Sequence, residues 1–290
     1  MRRPRIRDFG IRSDSRAFRV GPGHRVLITG GASGLGRSLA ELCSARGARL
    51  MLADVQPLDE TVALLPPGTE VHTHLCNVAD SDSVDALMDE TVRALGGIDV
   101  LFNNAGVAAA GRLEDSSLED WEWVRSIDLD GVIYVARAAI PIMRQSTPGW
   151  IVNTASLAAF ASAPAMGYYN VCKAGVVALS ETLYGELEPE GIGVSALCPG
   201  FFKTGLTTTF RTTHPGQMKF VEKVMEKSKL SSRDVAEMAL KGIERGELYI
   251  VPPGMAKQTW YLTRFFPSLA RGLMARGFRK SIRKQGSAAT

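Results

Sequence analysis

From residue 26 onward, short apolar runs alternate with longer stretches in which apolar residues recur every three to four positions. Val26 to Thr29, Arg49 to Ala53, Val71 to Cys76, Ile98 to Phe102, Trp150 to Thr154, Gly193 to Cys198 and Leu248 to Val251 are short and rich in apolar residues, the mark of buried strands. Between them, residues 35–46 carry Leu35, Leu39, Leu42 and Cys43 at helical spacing, and residues 81–95 carry Val84, Leu87, Met88, Val92 and Leu95 on one stripe. A short helix to about Leu65, long helices over 118–145 and 165–188, and a helix over 232–245 complete the alternation. Seven strands joined by helical crossovers predict a doubly wound α/β protein, with a parallel sheet and helices on both faces. On such sheets ligands bind beyond the carboxyl ends of the strands, so the residues that follow each strand are the first place to look for chemistry.

After the first strand stands Thr29-Gly30-Gly31-Ala32-Ser33-Gly34-Leu35-Gly36. Glycine permits a tight turn and lets a phosphate approach the backbone, and the helix that follows points unpaired N–H groups and its positive end at that phosphate. After the second strand stands Asp54, an acid placed to accept the hydroxyls of an adenosine ribose and to repel a 2′-phosphate. Ser33 agrees, since the loop itself holds no basic side chain. Asn77-Val78 follows the third strand, Asn103-Asn104-Ala105-Gly106 the fourth, Ser156 the fifth and Pro199-Gly200 the sixth, with Thr204 close behind. Tyr169 and Lys173 lie four apart in a helical run and share its face. An ammonium beside a phenol lowers the phenol's pKa, so Tyr169 is expected to act as acid or base near neutral pH. Tyr168 lies five residues before Lys173 and faces away.

In this order the TGGASGLG loop, Asp54, NNAG, Ser156, Tyr169, Lys173 and the Pro199-Gly200 pair resemble the short-chain dehydrogenase/reductase family over residues 26–251. The resemblance implies a Rossmann-type fold, a nicotinamide dinucleotide, hydride transfer at a hydroxyl or carbonyl carbon, no catalytic metal, and a homodimer or homotetramer. By position, it implies Tyr169 as acid/base, Ser156 as the group holding the substrate oxygen, and Lys173 as the residue that binds the nicotinamide ribose. Gly30, Ser33, Gly34, Leu35 and Gly36 would surround the pyrophosphate, and Asp54 the adenosine ribose. Asn77 and Val78 would meet adenine, and Asn104, Ala105 and Gly106 the ribose side. Pro199 and Thr204 would lie towards the nicotinamide. Two positions depart from the family's usual pattern. Asn77 stands where Asp is frequent, and Asp128, in Ile127-Asp128-Leu129, stands where Asn contributes a backbone carbonyl to a proton relay.

Asp54 favours NAD over NADP. The reaction expected is the interconversion of a secondary alcohol and a ketone. The alternatives are an NADPH-dependent carbonyl reductase of a biosynthetic pathway, which Asp54 opposes, and a catalytically silent dinucleotide-binding sensor, which has no need of Ser156, Tyr169 and Lys173 together. An expected substrate lid over residues 201–230 contains Phe201, Phe202, Leu206, Phe210, Met218 and Phe220 and suits a hydrophobic substrate.

Charge refines the outline at the two ends. Basic residues number 34 against 30 acidic ones, a net of +4, which does not suggest a nucleic-acid partner. Residues 1–25 hold eight Arg against Asp8 and Asp14, and residues 248–290 hold eight Lys or Arg and no acid, so a body of acidic balance carries two basic extensions. The expected division is a basic extension over 1–25, a catalytic domain over 26–251 and a basic amphipathic extension over 252–290. In the last, Leu262, Phe265, Phe266, Leu269 and Leu273 fall on one helical face beside Trp260 and Tyr261, a pattern suited to peripheral contact with an anionic membrane or to a subunit interface. Cys43, Cys76, Cys172 and Cys198 have neither metal-ligand nor CxxC spacing and read as reduced thiols. Arg2-Arg3 is followed by no apolar stretch of the kind an export signal needs, and the expectation is a cytoplasmic protein.

Overall fold

A computed structural model describes residues 18–202, 210–212, 223, 225–228 and 230–286, with the side chains of 281–286 outside the description. Thr204, most of the expected lid and the N-terminal residues 1–17 lie outside the described residues. Seven parallel strands form the sheet: β1 (Arg25–Thr29), β2 (Arg49–Asp54), β3 (Val71–Leu75), β4 (Val100–Asn103), β6 (Gly149–Thr154), β7 (Ile192–Leu197) and β9 (Tyr249–Ile250). Their order across the sheet is β3-β2-β1-β4-β6-β7-β9. The chain winds outward from β1 in one direction and from β4 in the other. Between those two strands the connections leave on opposite faces, and a crevice opens at their carboxyl ends.

Strand periodicity separates two cores. Val26, Ile28, Leu50, Leu52, Val100, Phe102, Trp150 and Val152 point to one face, where α1 (Gly34–Ser44) and the helix Ser232–Glu244 cover them. Leu27, Met51, Leu101, Ile151 and Val194 point to the other and meet α3 (Ser81–Leu95), α5 (Gly131–Met143) and α7 (Gly167–Leu187). Leu35, Leu39 and Cys43, one turn apart, are the buried stripe of α1. Asp80 caps α3 by accepting from the Asp82 N–H, and Gly96 ends it in the left-handed conformation (φ 82°).

Three expectations change in detail. The long helix expected over 118–145 is α4 (Leu118–Arg125) and α5 joined by a π-helical turn, Ser126–Asp130, in which the Gly131 N–H reaches back to the Ser126 carbonyl. A wider turn puts one extra residue into the helix and re-aims the side chains around it. Two small strands, β5 (Ala109–Ala110) and β8 (Arg211–Thr212), pair beside the crevice, and a short helix α6 (Ala158–Ala161) follows Ser156. The apolar face expected through Leu262–Leu273 is broken, because Phe266 leaves helical geometry (φ −134°, ψ 59°) and Pro267 opens a second helix. Proline lacks the N–H a helix interior needs but fits a first turn. Among the described residues no helix is long and apolar enough to cross a membrane.

Candidate active site

The glycine loop leaves β1 with Gly30 in the left-handed region (φ 68°), and a Cβ there would stand 2.9 Å from the Ala105 Cα. At Gly36 a Cβ would fall 1.9 Å from the Gly30 carbonyl oxygen, so the first turn of α1 lies directly on the loop. Ser33 precedes α1 in extended geometry, and its side chain caps nothing. The opening N–H groups of α1 are thus left for an external acceptor, and the helix dipole favours an anionic one. Asp54 faces this loop from the end of β2. Its Oδ2 accepts from the Ala32 N–H at 3.0 Å and its Oδ1 from the Gln56 N–H at 3.1 Å, which orients a partly exposed carboxylate beside the cradle.

Arg37 lies one turn beyond the loop. Its guanidinium donates to the Ala32 carbonyl at 2.6 Å, to Thr61 Oγ1 at 3.1 Å and to Glu60 at 2.9 Å, so it braces the loop from behind.

The residues after β4 form the other wall. Asn104 turns its side chain towards the strand ends. Its amide donates to the Thr29 carbonyl at 3.0 Å and its Oδ1 accepts from Thr154 Oγ1 at 3.3 Å, so the side chain ties three strand ends together. The Thr29 hydroxyl in turn accepts from the Asn104 and Ala105 N–H groups at 2.9 and 3.0 Å. Below them, Asn103 donates to Asn153, which donates to Ser180, a buried polar ladder from β4 to α7. Asn77 is exposed and Val78 buried after β3. Pro199 is buried, and its carbonyl accepts from the Leu157 N–H just past Ser156 at 2.8 Å.

Ser156, Tyr169 and Lys173 converge at the end of β6. The Lys173 ammonium donates to the Thr154 carbonyl at 3.1 Å and lies 5.8 Å from the centre of the Tyr169 ring. Ser156 Oγ accepts from the Ala158 N–H at 3.1 Å, and the Ser156 side chain acts electrostatically on the Tyr169 phenol. Tyr168, by contrast, is buried in a cluster with Trp121, edge to face at 6.0 Å. Asp128 enters from the π-helical turn and is fully buried. Its Oδ1 accepts from the Val107 N–H at 2.7 Å, and its Oδ2 stands 3.3 Å from the Lys173 ammonium. Gly106 passes directly over this pair, since a Cβ there would meet Asp128 Oδ1 at 3.1 Å and Lys173 Nζ at 3.4 Å.

The electrostatics correct one expectation. Burial pushes the Tyr169 phenol above its ordinary value, against the opposing pull of the Lys173 cation and a smaller one from Ser156, and the Asp128 carboxylate adds to the rise. An ammonium alone would lower the phenol's pKa; burial first, and the Asp128 charge second, reverse the direction. Burial also raises the Asp128 carboxyl, opposed by Lys173 and by the Val107 N–H. On Lys173, desolvation is the largest effect, but the charge of Asp128 outweighs it together with smaller contributions and leaves the ammonium stabilised.

Tyr169 borders an apolar cluster built from Ala108, Ala110, Met166, Phe201, Phe210 and Met225. The small β5–β8 pair holds its floor together. The C-terminal extension closes one flank. Trp260 packs against Phe160 and Tyr249 at 6.4 and 5.9 Å, and Arg271 donates to the Phe160 carbonyl at 3.0 Å. Neither Met166 nor Arg271 carried a sequence signal, because both act through contacts distant along the chain.

The short chain dehydrogenase family model matches residues 24–215. The chain belongs to that family. Within it, the chain is 36% identical over 184 residues to the meso-2,3-butanediol dehydrogenase of Serratia marcescens, covering 63% of this chain and 72% of the relative. It is 35% identical over 189 residues to a 3-oxoacyl-(acyl-carrier-protein) reductase of Thermotoga maritima, covering 64% and 76%. Among solved structures, a short chain dehydrogenase/reductase from Burkholderia phymatum in complex with NAD superposes with a TM-score of 0.80 at 36% identity, covering 87% of this chain and 96% of that one. Membership makes this chain an oxidoreductase acting on CH–OH groups.

Proposed function

We propose that the protein interconverts a hydrophobic secondary alcohol and its ketone with NAD as hydride carrier and Tyr169 as acid/base. The observation that carries this reading is the convergence of Ser156, Tyr169 and Lys173 at the carboxyl ends of the strands, beside the glycine cradle where the strand order reverses. The cradle fits a pyrophosphate: without a Cβ at Gly36 the first turn of α1 lies against the Gly30 backbone, and no side chain caps the N–H groups of α1. Gly30, Ser33, Gly34, Leu35 and Gly36 would hold the pyrophosphate, Asp54 the adenosine ribose, Asn77 and Val78 the adenine, Asn104, Ala105 and Gly106 the ribose side, and Lys173 the nicotinamide ribose. The solved relative's complex with NAD supports the same class of cofactor.

When bound, the nicotinamide supplies the hydride acceptor or donor. In the oxidative direction, Ser156 orients the substrate hydroxyl and Tyr169, as phenolate, removes its proton. In reduction, the Tyr169 hydroxyl gives that proton to the carbonyl oxygen. The apolar cluster of Ala108, Ala110, Met166, Phe201 and Phe210 beside Tyr169 supports a hydrophobic substrate. The test is a panel of secondary alcohols and ketones assayed with NAD and NADP. Tyr169→Phe removes one hydroxyl and should lower kcat by ~10²–10⁴-fold while leaving NADH binding intact. Near-normal turnover in that variant refutes the mechanism. Asp54→Ala should relax the preference for NAD, and a wild type that favours NADP refutes the cofactor assignment.

Two surfaces support proposals about partners. A groove of about 300 Å³ between α5 and α7 is lined by Ile133, Ile140, Leu179 and Leu183 with Arg137 and Glu186, and we assign it to a homodimer contact, testable by sedimentation. In the C-terminal extension, Phe265, Phe266 and Leu269 are 65%, 61% and 56% exposed, within a stretch of eight basic residues and no acid. This combination favours an anionic membrane surface, attracted by charge and entered shallowly by the aromatic residues. Co-sedimentation with phosphatidylserine vesicles should weaken as salt rises and be lost on truncation after Pro253. Indifference to such vesicles at low salt makes the extension a packing element alone.

A further inference from the structure

Asp128 is placed between two hydrogen-bond donors. The Val107 N–H lies 2.7 Å from Oδ1, and the Lys173 ammonium lies 3.3 Å from Oδ2. The second approach is an ion pair and falls short of a hydrogen bond, so Oδ2 has no hydrogen-bond donor among the described residues although it is fully buried. A carboxylate offers an acceptor to each neighbour. An asparagine offers one acceptor and one NH₂, so whichever way its amide turns, one donor faces another. The π-helical turn Ser126–Asp130 delivers the carboxylate to this position, and Gly106 leaves no room for a larger group between the carboxylate and the ammonium.

The groups that face Asp128 define its electrostatic role. From α7 come Lys173, Tyr169 and Cys172. The loop after β4 gives a backbone N–H and no charge. On the π-turn and α4, Asp130 and Arg125 pair with each other at 3.4 Å. Lys173 is therefore the cation that answers Asp128, and its side chain is only 4% exposed, so solvent screens the pair weakly.

We propose that Asp128 is a positioning residue that holds the Lys173 ammonium by charge and sets the pH range in which Tyr169 can take or give a proton. The proposal rests on the assignment of Tyr169 as acid/base. Without the carboxylate, the whole charge of the ammonium acts on the phenolate. With it, part of that charge is cancelled at a distance of 3.3 Å. The site is in consequence tuned towards more alkaline pH than Lys173 alone would give.

The experiment reads Tyr169 directly, without substrate or cofactor. Phenolate absorbance is titrated in the wild type and in Tyr169→Phe, and the difference isolates Tyr169. The same pair is then measured in the Asp128→Asn background. The Tyr169 midpoint is expected to fall by about one pH unit, the lower end of what a neighbouring charge produces. With a substrate in hand, the acid limb of alcohol oxidation and the alkaline limb of ketone reduction should both move down by the same amount. A structural role alone would lower rates at every pH and leave both limbs in place. Asp128→Ser, smaller and equally neutral, must move the midpoint in the same direction. If neither variant folds, a carboxyl carbon titration of the wild type decides, and an Asp128 protonated at neutral pH overturns the proposal. A midpoint that stays put or rises also overturns it. Absence of turnover on any substrate would instead count against the proposed function, since the tyrosine titration does not depend on it.

Discussion

Replacing Gly36 with alanine tests the dinucleotide cradle at its tightest point. The new Cβ would fall 1.9 Å from the Gly30 carbonyl oxygen, 2.7 Å from its carbonyl carbon and 3.0 Å from Asn104 Nδ2. A carbon–oxygen contact relaxes at ~3.3–3.6 Å, so the loop and the first turn of α1 must separate by roughly 1.5 Å. Both neighbours are held. Gly30 packs against the Ala105 backbone, and Asn104 is tied to Thr29 and Thr154. Overpacking of this kind costs about 1–3 kcal/mol, or roughly 2–4 °C in Tm per kcal/mol for a chain of this size. The larger effect falls on binding. A hydrogen bond to a charged group is worth about 1.5–3 kcal/mol and weakens steeply once its geometry is lost, so displacing even one or two donors raises Kd for NADH by ~10²-fold or more. Fluorescence titration with NADH measures the affinity, and thermal unfolding reports whether the variant is folded. Gly272→Ala, with no heavy atom within 4 Å of its new Cβ, should leave affinity unchanged. Should Gly36→Ala fail to fold, Gly34→Ala asks the same question through backbone strain, because Gly34 has φ 53° and a side chain there costs about 1–2 kcal/mol. A Gly36→Ala protein with wild-type Tm and a Kd within twofold of wild type would refute the placement of the pyrophosphate.

Asp99→Asn should destabilise the protein by about 2 kcal/mol in urea titration, because Asp99 accepts from the Arg25 N–H at 2.7 Å and Nε at 2.9 Å where β1 and β4 begin. The Arg25 hydrogen bonds and charge hold the Asp99 carboxyl below its ordinary value against the cost of burial. Its contribution to stability is therefore full above the unfolded-state value near pH 4 and is lost as pH falls through the lower folded-state value, which a wild-type and Asp99→Asn comparison across acid pH should reveal. Burial pushes the Cys43 thiol up to about 12 and, with help from Asp128, the Cys172 thiol to about 12 as well. Both should resist alkylation at neutral pH until urea unfolds the chain, and rapid labelling of either in the folded protein would contradict their burial.

Parallel pairing and the two helical layers follow from local patterning. Short apolar runs bury both faces of a strand, the longer stripes bury one face of a helix, and right-handed crossovers leave few ways to connect them. The glycine loop, Asp54 and the Tyr169–Lys173 spacing were legible for the same reason: each depends on a few consecutive residues or on one helical turn. The tertiary structure decided what distant residues do to one another. Arg37 reads as a basic residue near a phosphate loop until Thr61 and Glu60 are seen to hold it behind that loop. Nothing in the local sequence shows that the Asn104 amide ties Thr29 to Thr154. The amphipathic face of the C-terminal extension is continuous in the sequence and broken in space at Phe266–Pro267. Most of all, Lys173 seen alone predicts an acidified Tyr169. Burial of the phenol outweighs that pull, the π-helical turn brings Asp128, 45 residues before Lys173, within 3.3 Å of the ammonium to add to the rise, and the tyrosine shifts the other way. Charge acts through space and burial strengthens it, so the sign of this effect was set by contacts that no local window of sequence contains.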